Sequence, residues 1–273
     1  MKTIVHVSDL HFGRTDPEMI DGLNRSISES APDLVIISGD FTQRAKESEF
    51  QQARAFLEKL PARWLAVPGN HDIRLYDLYG RFIRPLEGYR KYISENLEPS
   101  YMDTELTVTG INTARSLIFK GGRINRNQVD RICRELNEGS PESIKILVAH
   151  HPLDLPQGRD QALAGRARMA LAALATAGID MILSGHLHVA YLSETAEKLR
   201  IGGHTALLIQ AGTAISTRSR GEANSFNLIR TERGSIGITR YCWAMASKVF
   251  RPCANASYRQ NPGAGWVREA ART

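Results

Sequence analysis

Short apolar runs that stop at a glycine or a polar side chain recur along this chain. The first covers residues 4–7, and four others cover residues 34–38, 64–68, 144–149 and 179–184. Short runs rich in β-branched side chains are typical of strands buried on both faces of a covered sheet. The pattern therefore predicts at least five buried strands, each ending at a turn.

Segments with helical periodicity lie between these runs. They cover residues 17–30, 46–60, 128–136 and 165–177. In the first two, apolar side chains fall on one face, and the last is rich in alanine and leucine. Strands that alternate with helices favour mostly parallel pairing, with the helices on the faces of the sheet.

The second half of the chain changes to strand-like runs separated by short turns. These runs cover residues 189–192, 205–209, 225–230 and 235–241. Arg233-Gly234 is a hairpin signal between the last two. Two mixed sheets packed together, with helices outside, would cover all of these apolar surfaces. We therefore predict an α/β fold of this kind, with its site at the carboxyl ends of the strands.

We predict one catalytic domain over residues 1–245 and a basic, flexible tail over residues 246–273. The length of 273 residues is within the reach of one large α/β domain. The net charge is +6, and from Lys248 onward five basic residues are balanced by Glu269 alone. A terminal segment of this composition is typically solvated and poorly ordered.

Cysteine usage and the N-terminal strand favour a cytoplasmic protein. Cys133, Cys242 and Cys253 form no CxxC pair, which is typical of reduced thiols. A cleaved signal peptide is not expected, because the strand at residues 4–7 leads directly to the candidate ligand Asp9. No apolar run is long enough to span a bilayer, so we expect no membrane partner.

Five short motifs follow the predicted strands and carry the residue types of a metal site. They are Asp9-Leu10-His11, Gly39-Asp40, Gly69-Asn70-His71-Asp72, His150 and Gly185-His186-Leu187-His188. Each motif is weak alone, whereas their order and shared place at strand ends make the set specific. Carboxylate and imidazole ligands without thiolate suit Mn, Fe or Zn. Two such ions roughly 3.5–4 Å apart are a common clamp for in-line attack on phosphorus.

The spacing within the motifs suggests how the ligands are shared. In extended backbone Asp9 and His11 would face the same way, and His186 with His188 repeats that spacing. Asp40 has two oxygens, which suits it to bridge both ions and makes it a candidate catalytic residue. The glycines at positions 39, 69 and 185 would permit conformations and close approaches that a side chain could block.

His71 is the candidate for proton transfer. In extended backbone it would point away from Asn70, whose amide oxygen is a candidate ligand. An imidazole near the leaving-group oxygen could protonate it or stabilise its charge. The adjacent Asp72 could orient the His71 ring or begin the following segment, and the sequence leaves both roles open.

These motifs, in this order, resemble the calcineurin-like metallophosphoesterase superfamily. The resemblance implies a four-layer α/β/β/α sandwich and a catalytic role for His71. It implies that the first metal ion is held by Asp9, His11, Asp40 and His188. It implies that the second is held by Asp40, Asn70, His150 and His186. The superfamily often doubles the histidine at position 150, so His150 is expected as the ligand and His151 as its support.

Within the superfamily the chain is most similar to bacterial class III cyclic-nucleotide phosphodiesterases. The similarity lies in residues 8–13, 69–72, 112–115 and 150–152. It implies hydrolysis of cyclic nucleotides, with a hydroxide that bridges the two ions as the nucleophile. The candidate substrate contacts are Asn70, His71, Arg14, Arg115 and Arg218.

Other functions compete with this one. A nuclease of the superfamily usually brings a DNA-facing domain, and apart from the tail the chain offers no basic track, so nucleic acid is not the expected partner. A nucleotide-sugar-lipid hydrolase would carry an apolar lid, for which only residues 73–101 are long enough. A glycerophosphodiester hydrolase also stays open, whereas an interaction module would have lost ligands that are present here. We expect a small phosphodiester substrate and two divalent ions, and we allow for a homodimer.

Overall fold

Two β-sheets packed face to face organise the chain. The computed structural model describes residues 1–74, 78–117, 121–154, 163–194, 205–217, 221–261 and 265–270. Helices cover the outer face of each sheet, which makes four layers in the order α/β/β/α. This is the predicted α/β sandwich.

The first sheet has seven strands in the order β13-β12-β11-β10-β1-β2-β3. Its parallel half consists of β1 (Lys2–Val7), β2 (Leu34–Ile37) and β3 (Trp64–Ala66). Its antiparallel half consists of β10 (Ser225–Glu232), β11 (Ser235–Ala244), β12 (Val249–Asn261) and β13 (Gly265–Arg268). The predicted turn at Arg233-Gly234 joins β10 and β11, with Gly234 at a φ of 71°.

The second sheet has six strands in the order β4-β5-β6-β7-β9-β8. Four of them are parallel: β5 (Leu106–Ile111), β6 (Ile144–Ala149), β7 (Met181–Ser184) and β9 (Leu207–Gln210). Antiparallel edge strands flank them: β4 (Ser100–Met102) and β8 (Tyr191–Glu194). The buried strand β5 is an element that the apolar-run analysis missed.

In the described part of the chain, six α-helices lie outside the sheets. They are α1 (Pro17–Glu29), α2 (Glu47–Leu57), α3 (Leu78–Ile83), α4 (Glu87–Tyr92), α5 (Arg126–Glu138) and α6 (Ala167–Thr176). Asp16 caps α1 by accepting from the Glu18 N–H, and Pro17 occupies the first turn, where its missing donor costs nothing. Among the described residues, no helix combines the length and apolar character that crossing a membrane requires.

Three apolar clusters account for the layering. Leu23 of α1 and Phe50 of α2 pack against the outer face of the first sheet. Ile4 and Ile146 belong to the cluster between the two sheets. Ile132 of α5 packs with α6 on the outer face of the second sheet. The parallel strands at the centre of the sheets are therefore largely buried on both faces, as the continuous apolar runs predicted.

The prediction of a flexible tail is wrong. Residues 249–261 and 265–268 form β12 and β13, which extend the first sheet. Tyr258 and Trp266 are each 1% exposed, and the Trp266 indole donates a 2.8 Å hydrogen bond to Asp180. The charge count misled the prediction, because the basic residues of these strands lie on exposed positions beside two buried aromatic anchors.

The prediction of three reduced thiols is also wrong. Cys242 of β11 and Cys253 of β12 form a disulfide with an S–S distance of 2.07 Å. The strand register shifts between Arg240 and Tyr241, and this irregularity leaves Cys253 as the extra residue opposite β11. Cys133 is free and half-buried. The cytoplasmic location that drew on the thiol argument stays a prediction.

The disulfide predicts how many thiols react before and after reduction, and it predicts a loss of stability when the bond is removed. Denatured, non-reduced protein should show one reactive thiol per chain, from Cys133, against three after reduction. Because the bond closes a short loop, Cys253→Ser should lower the free energy of unfolding by up to about 3 kcal/mol in non-reducing buffer. Cys133→Ser serves as the control and should leave the loop intact. Three thiols in the non-reduced wild type would contradict the assignment.

Candidate metal centre

The candidate ligands meet where the carboxyl ends of parallel strands from both sheets converge. Asp9 and Asp40 follow β1 and β2 of the first sheet, while His150 and His186 follow β6 and β7 of the second. The site therefore lies on the seam between the sheets. Backbone contacts such as Asp9 N–H to Gly39 carbonyl, at 3.1 Å, hold neighbouring loops in register.

Asp9 is the centre of one group of ligand atoms. Its Oδ1 lies 3.6 Å from His11 Nε2 and 3.7 Å from His188 Nε2. These separations are too long for good hydrogen bonds. They match the spacing of two ligands that each lie ~2.1 Å from one shared ion. Asp9, His11 and His188 could therefore hold one cation.

Asp40 is the centre of a second group. Its Oδ2 lies 3.4 Å from His150 Nε2 and 3.8 Å from His11 Nε2. The Asn70 Oδ1 atom is 3.2 Å from the same His150 Nε2. Asp40 Oδ2 thus faces ligands of both groups, so the expected bridge would use this one oxygen rather than two.

The remaining oxygen of each aspartate is occupied by the backbone. Asp9 Oδ2 accepts from the His186 N–H at 2.9 Å, and Asp40 Oδ1 accepts from the His71 N–H at 2.8 Å. By contrast Asp9 Oδ1, Asp40 Oδ2 and His11 Nε2 are buried and have no hydrogen-bond partner. Buried charged atoms without partners are costly. Their convergence fits a bound divalent cation, which would pair all three.

The extended backbone predicted for the pairs Asp9/His11 and His186/His188 is wrong. Asp9, His11 and Asp40 have φ of 52°, 49° and 54°, and His186 and His188 have φ of 73° and 58°. Left-handed conformations are uncommon for residues other than glycine and cost of order 1–3 kcal/mol each. Strain of this kind concentrates at functional sites. It turns both members of each pair inward, while the intervening leucine enters the core.

Two glycines are required by close approach of the loops. A Cβ on Gly69 would lie 2.1 Å from Asp40 Oδ1, and a Cβ on Gly185 would lie 1.8 Å from Ser8 Oγ. Either contact would displace a loop that carries a candidate ligand. The structure therefore supports the prediction that glycine permits close packing here.

Three of the candidate histidine ligands, His11, His150 and His188, are anchored through the other ring nitrogen. His150 Nδ1 bonds the Ser38 carbonyl at 2.7 Å, and His188 Nδ1 bonds Thr213 Oγ1 at 2.8 Å. His11 Nδ1 bonds the Thr42 carbonyl at 3.3 Å. Because a carbonyl only accepts, the first and third contacts fix the proton on Nδ1 and leave the Nε2 lone pair for a cation. Sequence reasoning missed these supporting residues, because small polar residues after strands are common.

Electrostatics keeps both carboxylates ionised. Burial would raise the pKa of Asp9, but the His188 and His11 imidazoles outweigh it and hold that pKa below its usual range. At His150, burial opposes the charged form, yet the Asp40 carboxylate raises the pKa to about 9. Cation binding near neutral pH would therefore displace a proton from His150.

His71 lies beside the ligand set without joining it. Its ring stands edge-on to that of His11, with centroids 4.9 Å apart, and Nδ1 donates to the Gln43 carbonyl at 2.8 Å. Residues Asn70–Asp72 form a 3₁₀ turn rather than the extended backbone that we predicted. Because Nδ1 bonds the Gln43 carbonyl, proton transfer by His71 would use Nε2.

Asp72 supports the turn and not the His71 ring. Its carboxylate accepts from the Gly69 N–H at 2.9 Å and from the N–H and hydroxyl of Thr42 at 3.0 Å each. Burial raises the pKa of Asp72 to about 6, and the nearby Asp40 carboxylate adds to that rise. Of the two roles left open by the sequence, the structural one is observed.

His150 and His151 occupy different environments. His151 Nδ1 bonds Thr113 Oγ1 at 2.7 Å, and its buried Nε2 has no hydrogen-bond partner. Both rings could share an ion with His186, because one ligand atom of each lies within 4.8 Å of the others. Only His150 also approaches Asp40 and Asn70, which supports it as the ligand.

The three arginines predicted to contact substrate differ in placement. Arg14 is exposed, and its backbone carbonyl accepts from the Thr217 N–H at 2.8 Å. Arg115 donates at 2.8 Å to each of the carbonyls of Asn112 and Ala114 and to Gln128 Oε1. Its guanidinium thus stabilises its own loop. Arg218 lies outside the described residues.

Comparison with known families agrees with this geometry. The calcineurin-like phosphoesterase profile matches residues 2–190, which include every candidate ligand. The chain belongs to the calcineurin-like phosphoesterase family. The predicted superfamily is confirmed.

Two curated relatives are phosphodiesterases by name. A probable cyclic nucleotide phosphodiesterase of Synechococcus is 25% identical over 135 residues, covering 46% of this chain and 45% of that protein. A cAMP/cGMP dual specificity phosphodiesterase of Mycobacterium tuberculosis is 28% identical over 216 residues, covering 68% of this chain and 61% of that protein. The matches therefore span about half the length of these relatives.

A solved structure supports the fold of this family member. Purple acid phosphatase from yellow lupin superposes with a TM-score of 0.68, covering 94% of this chain and 53% of that one. The identity is 12%, so the likeness concerns the fold alone.

The centre predicts a metal-dependent gain in stability. Excess Mn²⁺ should raise the thermal unfolding midpoint of the wild type, because an ion at a hundred times its Kd stabilises the folded state by about 2.7 kcal/mol. Asp40→Asn should lose most of this rise, since it removes the anionic oxygen facing both ligand groups. Asp130→Asn, an exposed change on α5, should keep it. Equal rises in all three proteins would contradict the site.

Proposed function

We propose that this protein is a metal-dependent phosphodiesterase for small phosphodiesters, with cyclic nucleotides as the principal substrates. The convergence of buried, partnerless ligand atoms on Asp9, His11 and Asp40 carries the proposal. It agrees with the family and with the named activities of the two phosphodiesterase relatives.

The proposed ligands divide into two sets. The first cation is held by Asp9, His11, Asp40 and His188. The second is held by Asp40, Asn70, His150 and His186. Hard oxygen and borderline imidazole donors suit Mn, Fe or Zn. The anchored Nδ1 atoms of His11 and His150 support this division, because each ring already presents Nε2 to the centre.

The chain's own residues would then position the reaction. When bound, the two cations would lower the pKa of a coordinated water and neutralise charge on the phosphoryl oxygens. Asp40 would hold the cations together through Oδ2. His71 would deliver a proton from Nε2 to the leaving oxygen, with the Gln43 carbonyl fixing the ring orientation.

A cavity that Ile73 helps to line supports a small-molecule substrate. It measures about 820 Å³, and its lining combines apolar residues such as Ile73 and Leu86 with charged residues such as Arg90 and Glu95. Pockets for small ligands commonly measure 300–1,000 Å³ and are largely apolar. Ile73 directly follows the 3₁₀ turn that carries His71, so a base or other organic group could extend into this space.

His71→Ala should separate chemistry from metal binding. Turnover should fall by 10²–10⁴-fold, the usual contribution of a positioned acid. Metal content measured by elemental analysis should stay at the wild-type value, since His71 contributes no ligand. His71→Gln, which keeps a polar group of similar reach, provides a comparison for packing. Loss of metal together with activity would show that His71 is itself a ligand.

A substrate panel tests the proposed specificity. The Mn²⁺-loaded protein should hydrolyse 3′,5′-cyclic nucleotides or 2′,3′-cyclic nucleotides and bis-p-nitrophenyl phosphate at rates well above those for single-stranded DNA. Glycerophosphodiesters and a UDP-linked lipid belong in the same panel, because the family resemblance leaves them open. Rapid DNA cleavage without turnover of cyclic nucleotides would overturn the proposal. The Asp40→Asn variant is the blank for contaminating activity.

A further inference from the structure

A second cleft opens between the two sheets, and its lining includes Ala190, two residues after His188. It has a volume of about 260 Å³ and is bounded by β8 and β9 on one side and by β10 to β13 on the other. Its polar lining includes Tyr191, Asn227, Arg240, Asn255 and Arg268. None of these residues belongs to the proposed metal centre.

Two arginines make the described lining of this cleft positive. Arg240 and Arg268 line it, and none of its lining residues is acidic. Within the described part of the chain, neither guanidinium forms an ion pair or a hydrogen bond. Neighbouring surface arginines behave differently, since Arg259 pairs with Glu269 at 2.9 Å and Arg233 pairs with Glu142 at 2.6 Å.

Asn227 adds a buried donor to the cleft. The residue is 4% exposed, and its Nδ2 atom has no hydrogen-bond partner. In the antiparallel pairing Asn227 lies directly opposite Arg240 of β11, so the two side chains share one face of the sheet. A buried amide donor without a partner is rare, and an acceptor atom of a bound ion or of water would satisfy it.

The same row of positions continues toward the metal centre. Asn227 is paired on its other side with His6 of β1, whose Nδ1 is also buried without a partner. His6 Nε2 contacts Ser38 Oγ at 2.9 Å, and the Ser38 carbonyl accepts from His150 Nδ1 at 2.7 Å. The cleft and the metal centre are thus separate sites at two ends of one polar row.

We propose that this cleft binds a small phosphate-type anion. Two guanidinium groups and the Asn227 amide nitrogen present hydrogen-bond donors, from β10, β11 and β13. Guanidinium forks match phosphate oxygens in bidentate geometry. Three donor groups on three strands suit a tetrahedral anion, whereas one fork would satisfy a flat carboxylate. The cleft volume admits inorganic phosphate or a small phosphomonoester.

Calorimetric titration of inorganic phosphate into the metal-loaded full chain tests the proposal. The wild type should show two binding sites per chain, one at the metal centre and one in the cleft. Arg240→Ala should weaken the cleft site at least tenfold and leave the other. Asn227→Leu, which replaces the buried amide by an apolar group of similar size, should weaken the same site. Arg230→Ala, an exposed change on β10 pointing to the opposite face, should retain both.

The outcomes separate this proposal from the proposed function. Asp40→Asn should abolish the metal-centre site alone, and its failure to do so would count against the phosphodiesterase centre. A wild type whose only phosphate site vanishes with Asp40→Asn would overturn the cleft proposal and leave water as the occupant. Acetate competing as well as sulfate for the cleft site would overturn the phosphate-type assignment in favour of carboxylates.

Discussion

Two ionised carboxylates buried side by side are the constraint on which the structure of the site depends. Asp9 and Asp40 are at most 1% exposed, and each presents one oxygen without a partner. An uncompensated buried charge costs several kcal/mol, so the arrangement persists only with a cation or protonated imidazoles beside it. Backbone N–H groups from the His71 and His186 loops already satisfy the outer oxygens. The remaining oxygens, Asp9 Oδ1 and Asp40 Oδ2, face the site, where they could bind a metal ion.

This constraint explains why the site needs both sheets. One sheet could place Asp9 and Asp40 together on neighbouring parallel strands, yet it supplies too few imidazoles. The second sheet brings His150 and His186 to the same seam from β6 and β7. The left-handed backbone at five of the ligands is held by packing, because Leu10 and Leu187 between them are buried. Strained backbone of this kind persists only where the packing of the surrounding residues holds it in place.

The ligands and most buried strands could be predicted from the sequence because both rest on local signals. A covered strand is a continuous apolar run, and a ligand is a polar residue where that run stops. The left-handed conformations could not be predicted, since nothing local distinguishes Asp9 from an aspartate in extended backbone. The Cys242–Cys253 bond depends on the β11–β12 register and its irregularity, which spacing alone does not specify. The prediction missed β13 because it relied on the net charge of the C-terminal segment and gave no weight to Trp266, which is buried.

The face of β1 and β10 between the two sheets carries apolar residues that stabilise the fold and, further along the same strands, polar residues with a different role. Along β1 and β10 this face carries Ile4 and Ile229, which are fully buried and apolar. The next pair along the same strands is His6 and Asn227, each with a ring or amide nitrogen left unpartnered. Apolar residues of similar size would pack there without an unsatisfied donor and would be neutral or stabilising. The residues change from apolar to polar where the strands approach Ser38 and His150. We therefore attribute His6 and Asn227 to orienting the candidate ligand His150 and to binding the proposed anion, and not to stabilising the fold.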